Sequence, residues 1–395
     1  MAKIDALKDL VFHKSLCVLP WHGFTLFPNG NVKNCAISLE RLGNVKQDSL
    51  YDILDNNISC NVRQDMQSNI KHERCNVCYR TEDLQNDNPL NKISNRIWYM
   101  KVLKNHDLSV YQQDSFVKPK VLDLRWRNTC NLGCIYCGPD LSSRWASERN
   151  KQAFIRIDEE FLDKTKKYIF ENIKEIKHIY LAGGEPLLMK ENLELLEELK
   201  KHNPTVTIRI NTNLSNINNK IFDTLINDFK NTKWTVSIDA IEEDYEYIRY
   251  PGNWDIFSKN LSYLYSKTNN IDYNMTWSVL NAYSIFEATD FLQHNLNCPD
   301  SVFVIQPIFN PKALQINNLS DQTLEHIKTI IKERMQKCSS SLYKNSLESM
   351  LSSLDLPTNK RFNKTLKFLN IINKQRSLTF PTSLTNLINK ENKNG

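Results

Sequence analysis

Three cysteines on one short segment form the strongest chemical pattern in the sequence. Cys130, Cys134 and Cys137 are separated by three and then two residues, and Tyr136 directly precedes the last of them. Thiolates at this spacing fit on one tight loop and bind three corners of a cubane [4Fe–4S] cluster, which leaves the fourth iron open to another ligand. A zinc site would need a fourth ligand from elsewhere in the chain. The spacing, the aromatic residue and the position after a strand-like run favour the cluster.

Four further cysteines lie within residues 1–80. Cys17 and Cys35 form one pair, with Gly30 before the second of them, and Cys75 and Cys78 form a CxxC unit. Four thiolates saturate one metal site, and on spacing alone zinc fits better than an iron–sulfur cluster. Because the segment is rich in turn signals and short strand-like runs, we expect a small module ordered by metal binding.

Other polar residues stand where predicted strands end. Gly183 and Gly184 would let a ligand approach the backbone closely, and the carboxylate of Glu185 would accept hydrogen bonds from an ammonium group. Taken alone, this segment is better explained as a plain turn between a strand and a helix. Asn211 and Asn213 end the next strand-like run, where a pocket lining and a turn explain them about equally.

A third group follows the fourth predicted strand. Ser237 and Asp239 stand at its end, and Arg249 lies on a short helical segment just after it. The planar guanidinium of an arginine suits a carboxylate partner. For Asp239, the cap of the following helix and a ligand-binding role carry equal weight.

Strands and helices alternate regularly through the middle of the chain and would position these residues. Strands are predicted at 121–126, 178–184, 206–212, 234–239, 273–280 and 301–308, and helices at 159–175, 190–202, 218–230, 255–267, 284–295 and 321–337. Six βα repeats with short connections favour parallel strands, hence an α/β fold. In a doubly wound sheet and in a barrel alike, reactive residues lie at the carboxyl ends of the strands.

The segment from Cys130 to Trp145 resembles the radical S-adenosylmethionine (SAM) superfamily, whose signature is CxxxCxΦC with Φ aromatic, and the likeness extends over about 118–310. It implies a partial (β/α)6 TIM-like barrel in which the three cysteines bind a [4Fe–4S] cluster. In that family the amino and carboxylate groups of SAM bind the open iron. Reduction then cleaves SAM to methionine and a 5′-deoxyadenosyl radical, which abstracts hydrogen from a substrate.

The same resemblance suggests which side chains contact the cofactor. Gly183–Glu185 would be the motif that binds the SAM amine, Ser237 a ribose or carboxylate ligand, and Arg249 a carboxylate partner. The further cofactor-binding candidates are Tyr136, Asn211 and Asp239.

The N-terminal module resembles a SPASM or twitch domain. The resemblance is carried by Cys17, Gly30, Cys35 and the sequence around 20–45. The resemblance implies a second, auxiliary [4Fe–4S] cluster on Cys17, Cys35, Cys75 and Cys78, with zinc as the alternative. Here the module precedes the core and has too few cysteines for two auxiliary clusters, so the single-cluster twitch form is favoured.

We expect four parts: the auxiliary module over 1–80, a helical connector over 81–117, the radical SAM core over 118–338, and a polar, helical extension over 339–395. Within the connector the helical spacing is clearest over 91–104. The last residues, 389–395, are expected to be disordered because they are polar.

Net charge and hydrophobicity limit the classes of binding partner that the sequence predicts. The net charge of +6 is modest and the charges are interspersed, so nucleic acid is not an expected partner. No apolar run is long enough to span a membrane, and no signal-peptide pattern is present, which favours a cytoplasmic setting with reduced thiols. Expected partners are SAM, an electron donor such as flavodoxin or ferredoxin, and a substrate, with a peptide or protein favoured over a small alcohol or sugar. A non-catalytic zinc or iron–sulfur binding module is the alternative.

Overall fold

Two compact units make up the chain. The computed structural model describes residues 13–39, 41–83, 94–103, 107–149, 157–356 and 362–394. The first unit comprises Met1–Thr129, Phe154–Ile210 and Lys220–Thr232, and the second comprises Cys130–Ala153, Asn211–Asn219 and Lys233–Gly395.

A mixed sheet forms the centre of the first unit. Its strands, in spatial order, are β3 (Gly43–Asn44), β2 (Asn31–Lys33), β1 (Gly23–Leu26), β4 (Val121–Leu124), β5 (His178–Leu181) and β6 (Thr207–Thr212), the last two residues of β6 falling in the second unit. The pairs β1–β2 and β2–β3 are antiparallel, whereas β1 runs parallel to β4. Strands β4, β5 and β6 are parallel to one another. The hairpin of the N-terminal module therefore extends the sheet of the core.

Three parallel strands form the sheet of the second unit. They are β7 (Lys233–Ser237), β8 (Ile271–Trp277) and β9 (Phe303–Pro307). Trp234 pairs with Ile271, and Tyr273 pairs with Phe303, whose ring lies 6.1 Å from that of Tyr273; all four side chains are buried.

Helices flank the strands in both units. In chain order they are α1 (Leu19–His22), α2 (Leu50–Asp55), α3 (Asn57–Gln67), α4 (Asn76–Asp83), α5 (Asn95–Val102), α6 (Ser143–Glu148), α7 (Glu159–Glu171), α8 (Lys190–His202), α9 (Lys220–Asp228), α10 (Glu242–Ile248), α11 (Trp254–Lys267), α12 (Ser284–Leu296), α13 (Asp321–Lys337), α14 (Ser341–Leu354), α15 (Phe362–Arg376) and α16 (Thr382–Asn394). Helix α8 buries Leu195, Leu196 and Leu199 while its lysines face outward, as expected of an amphipathic helix on a sheet. Within the described ranges, no helix combines the length and the apolar character needed to cross a membrane.

The predicted alternation of strands and helices is confirmed, with bounds that differ by a few residues. The α/β class, the parallel core strands and the helical C-terminal region are confirmed as well. Closure of the strands into a barrel stays a prediction, as do the boundaries between the four expected parts. In the connector, 84–93 and 104–106 lie outside the described residues, while Asn95–Val102 is helical.

The prediction of disorder at the C-terminus is wrong for the residues that are described. Helix α16 continues to Asn394 and buries Leu384 and Leu387. Glu391 accepts hydrogen bonds from the backbone nitrogen of Ser320, at 2.7 Å, and from its hydroxyl, at 2.8 Å. Two leucines and one buried carboxylate are enough to order a segment that is polar in composition.

Candidate functional site

The loop that carries Cys130, Cys134 and Cys137 is held by main-chain hydrogen bonds. Gly133 donates to the carbonyl of Tyr250 at 2.6 Å, and Ile135 donates to the carbonyl of Ile248 at 2.8 Å. The loop thus pairs with the chain segment that ends α10 and follows it. Such pairing fixes the loop as a rigid support for its three thiols.

Side chains around the loop fix the positions of the cysteines further. The backbone nitrogen of Cys130 donates to the hydroxyl of Ser143 at 3.1 Å, and the amide nitrogen of Asn213 lies 3.9 Å from the sulfur of Cys130. The indole nitrogen of Trp145 donates to the carbonyl of Cys134 at 2.6 Å. The predicted pocket residue Asn213 is therefore placed beside the first cysteine.

Tyr136, Asp239 and Arg249 form one buried polar group. The hydroxyl of Tyr136 donates to Asp239 Oδ2 at 2.6 Å, and Nη2 of Arg249 lies 2.7 Å from the same oxygen. The backbone nitrogen of Thr276 donates to Asp239 Oδ1 at 2.6 Å. Helix α10 is instead capped by Ile241 without a side-chain bond, so the N-cap interpretation of Asp239 is wrong.

Arg249 retains an unused donor in this group. Its Nε atom is buried, and within the described part of the chain it has no hydrogen-bond partner. An unpaired, buried guanidinium nitrogen is costly unless an anionic group occupies the space beside it. The donor therefore fits an anionic group such as a carboxylate, and the ligand role of Arg249 stays a prediction.

The electrostatic setting disfavours free thiolates at the loop. Burial raises the pKa of Cys134, an effect that the charges of Arg249 and Arg376 oppose. Burial also raises the pKa of Cys137 to about 12, and the neighbouring Cys134 adds to the rise. Thiols in such surroundings lose their protons when a metal binds them, so this donor set fits a metal centre.

Two further predicted residues lie close together at strand ends. The hydroxyl of Ser237, at the end of β7, donates to the side-chain oxygen of Asn211 at 3.4 Å. Ser237 is nearly buried, whereas Asn211 is partly exposed. Both belong to the second unit, as do the three cysteines.

Gly183, Gly184 and Glu185 lie in the first unit, directly after β5. A Cβ atom on Gly184 would stand 2.1 Å from the carbonyl oxygen of Thr129, and Gly183 adopts a φ of +110°. Both positions therefore require glycine. The backbone nitrogen of Glu185 donates to the same Thr129 carbonyl at 2.7 Å, and its carboxylate accepts from the backbone nitrogen of Leu187 at 3.1 Å. The segment thus packs closely on the residues that lead into Cys130.

The four N-terminal cysteines line one small cavity of the first unit, although they come from distant parts of the sequence. The cavity is bounded by Cys17, Leu19, Cys35, Ile37, Ser38, Arg74, Cys75, Val77, Cys78, Asn95 and Arg96. Burial, with a smaller contribution from the nearby thiols, raises the pKa of Cys35 and of Cys75 to about 12. The predicted set of four ligands is therefore brought together.

Helix α5 closes this cavity from the connector. Burial raises the pKa of Cys78, and hydrogen bonds from the backbone nitrogens of Arg96 and Asn95, in the first turn of α5, oppose this rise. The guanidinium of Arg96 is buried and also donates to the carbonyl of Leu16, at 2.7 Å. Amide–sulfur bonds of this kind stabilise metal-bound thiolates and tune a cluster. The sequence did not indicate that the connector takes part in the site.

Among the described residues, no three or more His, Cys, Asp or Glu side chains converge tightly enough to hold a single metal ion. A cubane is bound differently, because each of its thiolates binds a separate iron at a corner of the cluster.

Sequence reasoning missed two residues beside the loop, Trp145 and Arg376. The indole nitrogen of Trp145 binds the carbonyl of Cys134. Arg376, near the C-terminal end of α15, is buried and lies 4.9 Å from the rings of Trp145 and of Tyr250. Nothing in the sequence around Arg376 indicates this contact, because it joins parts of the chain that are far apart.

Comparisons with known proteins agree with this arrangement. Residues 126–276 match the Radical SAM superfamily, and residues 17–79 match SPASM, described as an iron–sulfur cluster-binding domain. GTP 3′,8-cyclase of Campylobacter lari is 27% identical over 115 residues, which are 29% of this chain and 33% of that protein. 7-Carboxy-7-deazaguanine synthase of Clostridium acetobutylicum is 37% identical over 86 residues, which are 21% of this chain and 33% of that protein.

The match thus spans about a third of the length of these curated relatives. Among solved structures, one described as native anSMEcpe with bound AdoMet superposes with a TM-score of 0.41 and 16% identity, covering 58% of this chain and 66% of that one.

Proposed function

We propose that this chain is an enzyme that cleaves SAM reductively. It carries a radical SAM domain over residues 126–276 and a SPASM iron–sulfur domain over residues 17–79. The resemblance predicted from the cysteine motifs is confirmed by both matches. The domains imply two kinds of [4Fe–4S] site and SAM as cofactors. With cluster and SAM bound, the chemistry supplied would be a 5′-deoxyadenosyl radical that abstracts hydrogen from a substrate.

One observation carries the proposal: three cysteines stand on a loop fixed by main-chain hydrogen bonds, beside a buried arginine whose Nε has no partner among the described residues. Cys130, Cys134 and Cys137 would hold the cluster by three corners. Arg249, kept in place by Asp239, would direct its Nε donor at the carboxylate of SAM. A closed structural metal site would have no use for that donor.

The remaining candidates would complete the SAM site. Gly183–Glu185 would bind the SAM amine through a carboxylate and closely packed backbone, and Ser237 would bind the ribose or carboxylate. Tyr136 would act through Asp239, because its hydroxyl is already bonded there. Asn211, bonded to Ser237, would orient that hydroxyl.

In the first unit, Cys17, Cys35, Cys75 and Cys78 would hold one auxiliary [4Fe–4S] cluster. Their common cavity and the match to an iron–sulfur domain support this assignment over zinc. A cluster ligated by four thiolates would relay electrons, because no iron is left open to substrate.

The proposed substrate is a peptide or protein, as the resemblance to radical SAM proteins with a SPASM or twitch domain implies. Dehydrogenation of a small alcohol or sugar is the competing activity. The proposed electron donor is a flavodoxin or ferredoxin, and the proposed compartment is the cytoplasm, where exposed thiols stay reduced.

Anaerobic reconstitution followed by iron counting and a dithionite-driven cleavage assay tests the proposal. We expect about eight irons per chain and release of 5′-deoxyadenosine from SAM. Cys134→Ala should abolish the release, and Cys338→Ala, a cysteine outside both sites, should leave it unchanged. Metal binding without any 5′-deoxyadenosine would favour the non-catalytic binding module instead. About four irons with one zinc would support the radical SAM site and refute the auxiliary cluster.

A further inference from the structure

Beside the cysteine loop, three arginines and two aromatic rings form an alternating stack. Its order is Arg149, Trp145, Arg376, Tyr250 and Arg144, with guanidinium-to-ring distances of 4.7, 4.9, 4.9 and 5.3 Å. All five residues belong to the second unit. We call this group the arginine stack.

Two hydrogen bonds join the arginine stack to the cysteine loop. The indole nitrogen of Trp145 donates to the carbonyl of Cys134, and the carbonyl of Tyr250 accepts from the backbone nitrogen of Gly133. Between the two rings, Nη2 of Arg376 stands 2.9 Å from the place that a Cβ on Gly133 would occupy. The central guanidinium therefore lies directly against the loop, in space that only a glycine leaves free.

Arg376 is the buried arginine at the centre of the stack. Glu148 is the carboxylate that contacts the stack: Nη2 of Arg376 lies 2.7 Å from its Oε2, and Nε of Arg144 lies 3.4 Å from its Oε1. Arg149 is exposed and the side chain of Arg144 is 38% exposed, so Arg376 carries the one buried guanidinium group of the stack. The side chain of Arg376 is only 2% exposed, and its Nη1 atom is buried without a hydrogen-bond partner among the described residues.

A buried guanidinium nitrogen without a hydrogen-bond partner is costly unless an anionic group lies nearby. The thiolates that ligate a [4Fe–4S] cluster make it such an anion, and nearby charge is one of the factors that set the reduction potential of a cluster. We propose that Arg376, supplied by the C-terminal extension, is the electrostatic partner of the cluster on Cys130, Cys134 and Cys137 and makes its one-electron reduction easier. The inference rests on the proposed function, since it assumes that this loop binds a cluster.

The extension thereby gains a role that its polar composition did not suggest. Tyr247 in α10 donates to the side chain of Asn373 in α15 at 2.8 Å, and Ser383 in α16 donates to Asp244 at 2.6 Å. These bonds hold α15 and α16 against the helix that leads to Arg249. The last two helices are thus part of the cluster environment.

A redox titration of the full, anaerobically reconstituted chain, followed by electron paramagnetic resonance, tests the inference. The relevant signal is the one that a Cys134→Ala/Cys137→Ala variant lacks. Arg376→Gln should make reduction of this cluster about tenfold less favourable, which corresponds to a potential lower by about 59 mV for one electron. Arg376→Lys keeps the charge and should stay close to wild type.

Arg334→Gln is the matched control, because Arg334 is paired with Asp290 at 2.7 Å and stacked on Phe286 at 4.8 Å, in the same unit but without contact to the loop. It should leave the potential unchanged. Glu148→Gln removes the carboxylate of the stack and should shift the potential in the opposite direction, to higher values. If Arg376→Gln fails to take up iron, the potential of Glu148→Gln still tests whether charge in the stack affects the cluster.

An unchanged potential in both Arg376→Gln and Glu148→Gln would overturn the inference and leave Arg376 a purely structural anchor. Equal losses in Arg376→Gln and Arg376→Lys would overturn it as well, since the geometry and not the charge would then matter. If the wild-type chain shows no signal that depends on Cys134 and Cys137, the proposed function itself has failed.

Discussion

Replacing Asp239 by asparagine should destabilise the second unit severely. The carboxylate is fully buried and accepts hydrogen bonds from Tyr136, at 2.6 Å, and from the backbone of Thr276, at 2.6 Å, while pairing with Arg249 at 2.7 Å. In Asp239→Asn the buried guanidinium of Arg249 loses its counter-charge, which costs roughly 3–5 kcal/mol. For a unit of this size, about 2–4 °C of melting temperature corresponds to 1 kcal/mol, so the melting temperature should fall by about 6–20 °C.

The matched control for this variant is Asp290→Asn. Asp290 also pairs with an arginine at 2.7 Å, but its side chain is 42% exposed, so the loss should stay below about 1 kcal/mol. Differential scanning calorimetry of both variants, prepared without clusters, measures the difference. Removing both partners in Asp239→Leu/Arg249→Met should restore part of the loss, because no buried charge is then left alone. Equal losses of stability in Asp239→Asn and Asp290→Asn would show that burial of the carboxylate does not determine the cost of removing its charge.

Three further outcomes follow from the first unit. Burial lowers the pKa of His178 to about 4, from an ordinary value near 6.5. As the pH falls, the unfolded chain takes up the proton first, so the free energy of unfolding is at its full value above pH 6.5 and declines by roughly 3 kcal/mol towards pH 4. His178→Phe should flatten this decline in melting curves recorded against pH. Gly184→Ala would drive a methyl group into the carbonyl of Thr129 and should abolish SAM binding in equilibrium dialysis, whereas Gly138→Ala, with nothing within 4 Å, should not. Cys75→Ser should lower the iron content by about half, to about four irons per chain, and an unchanged iron count would contradict the auxiliary cluster.

The core strands and helices were predictable from the sequence because their periodicity is local. Alternating apolar runs and amphipathic segments set β4 to β9 and the helices between them to within a few residues. The cysteine loop was predictable for the same reason: Cys130 to Cys137 is a contiguous motif whose spacing is dictated by the shape of a cluster.

Features that depend on contacts between distant segments were not predictable. The parallel pairing of β1 with β4 joins a hairpin to a core strand across the whole N-terminal module. For Asp239 the sequence left a helix cap and a ligand role equally open, because helix signals come from neighbouring residues, whereas its partners come from three different parts of the chain. Arg376 gave no signal at all, since a single arginine in a polar helix is ordinarily solvated.

The central claim is that the cluster on Cys130, Cys134 and Cys137 keeps one iron open for SAM. Electron–nuclear double resonance on the reduced, reconstituted chain, with SAM labelled in its carboxylate, measures this directly. We expect a magnetic coupling between the label and the cluster, which weakens when Arg249 is changed to methionine and vanishes in Cys134→Ala/Cys137→Ala. A cluster that forms fully but shows no coupling to labelled SAM, because a fourth protein ligand occupies the iron, would contradict the claim.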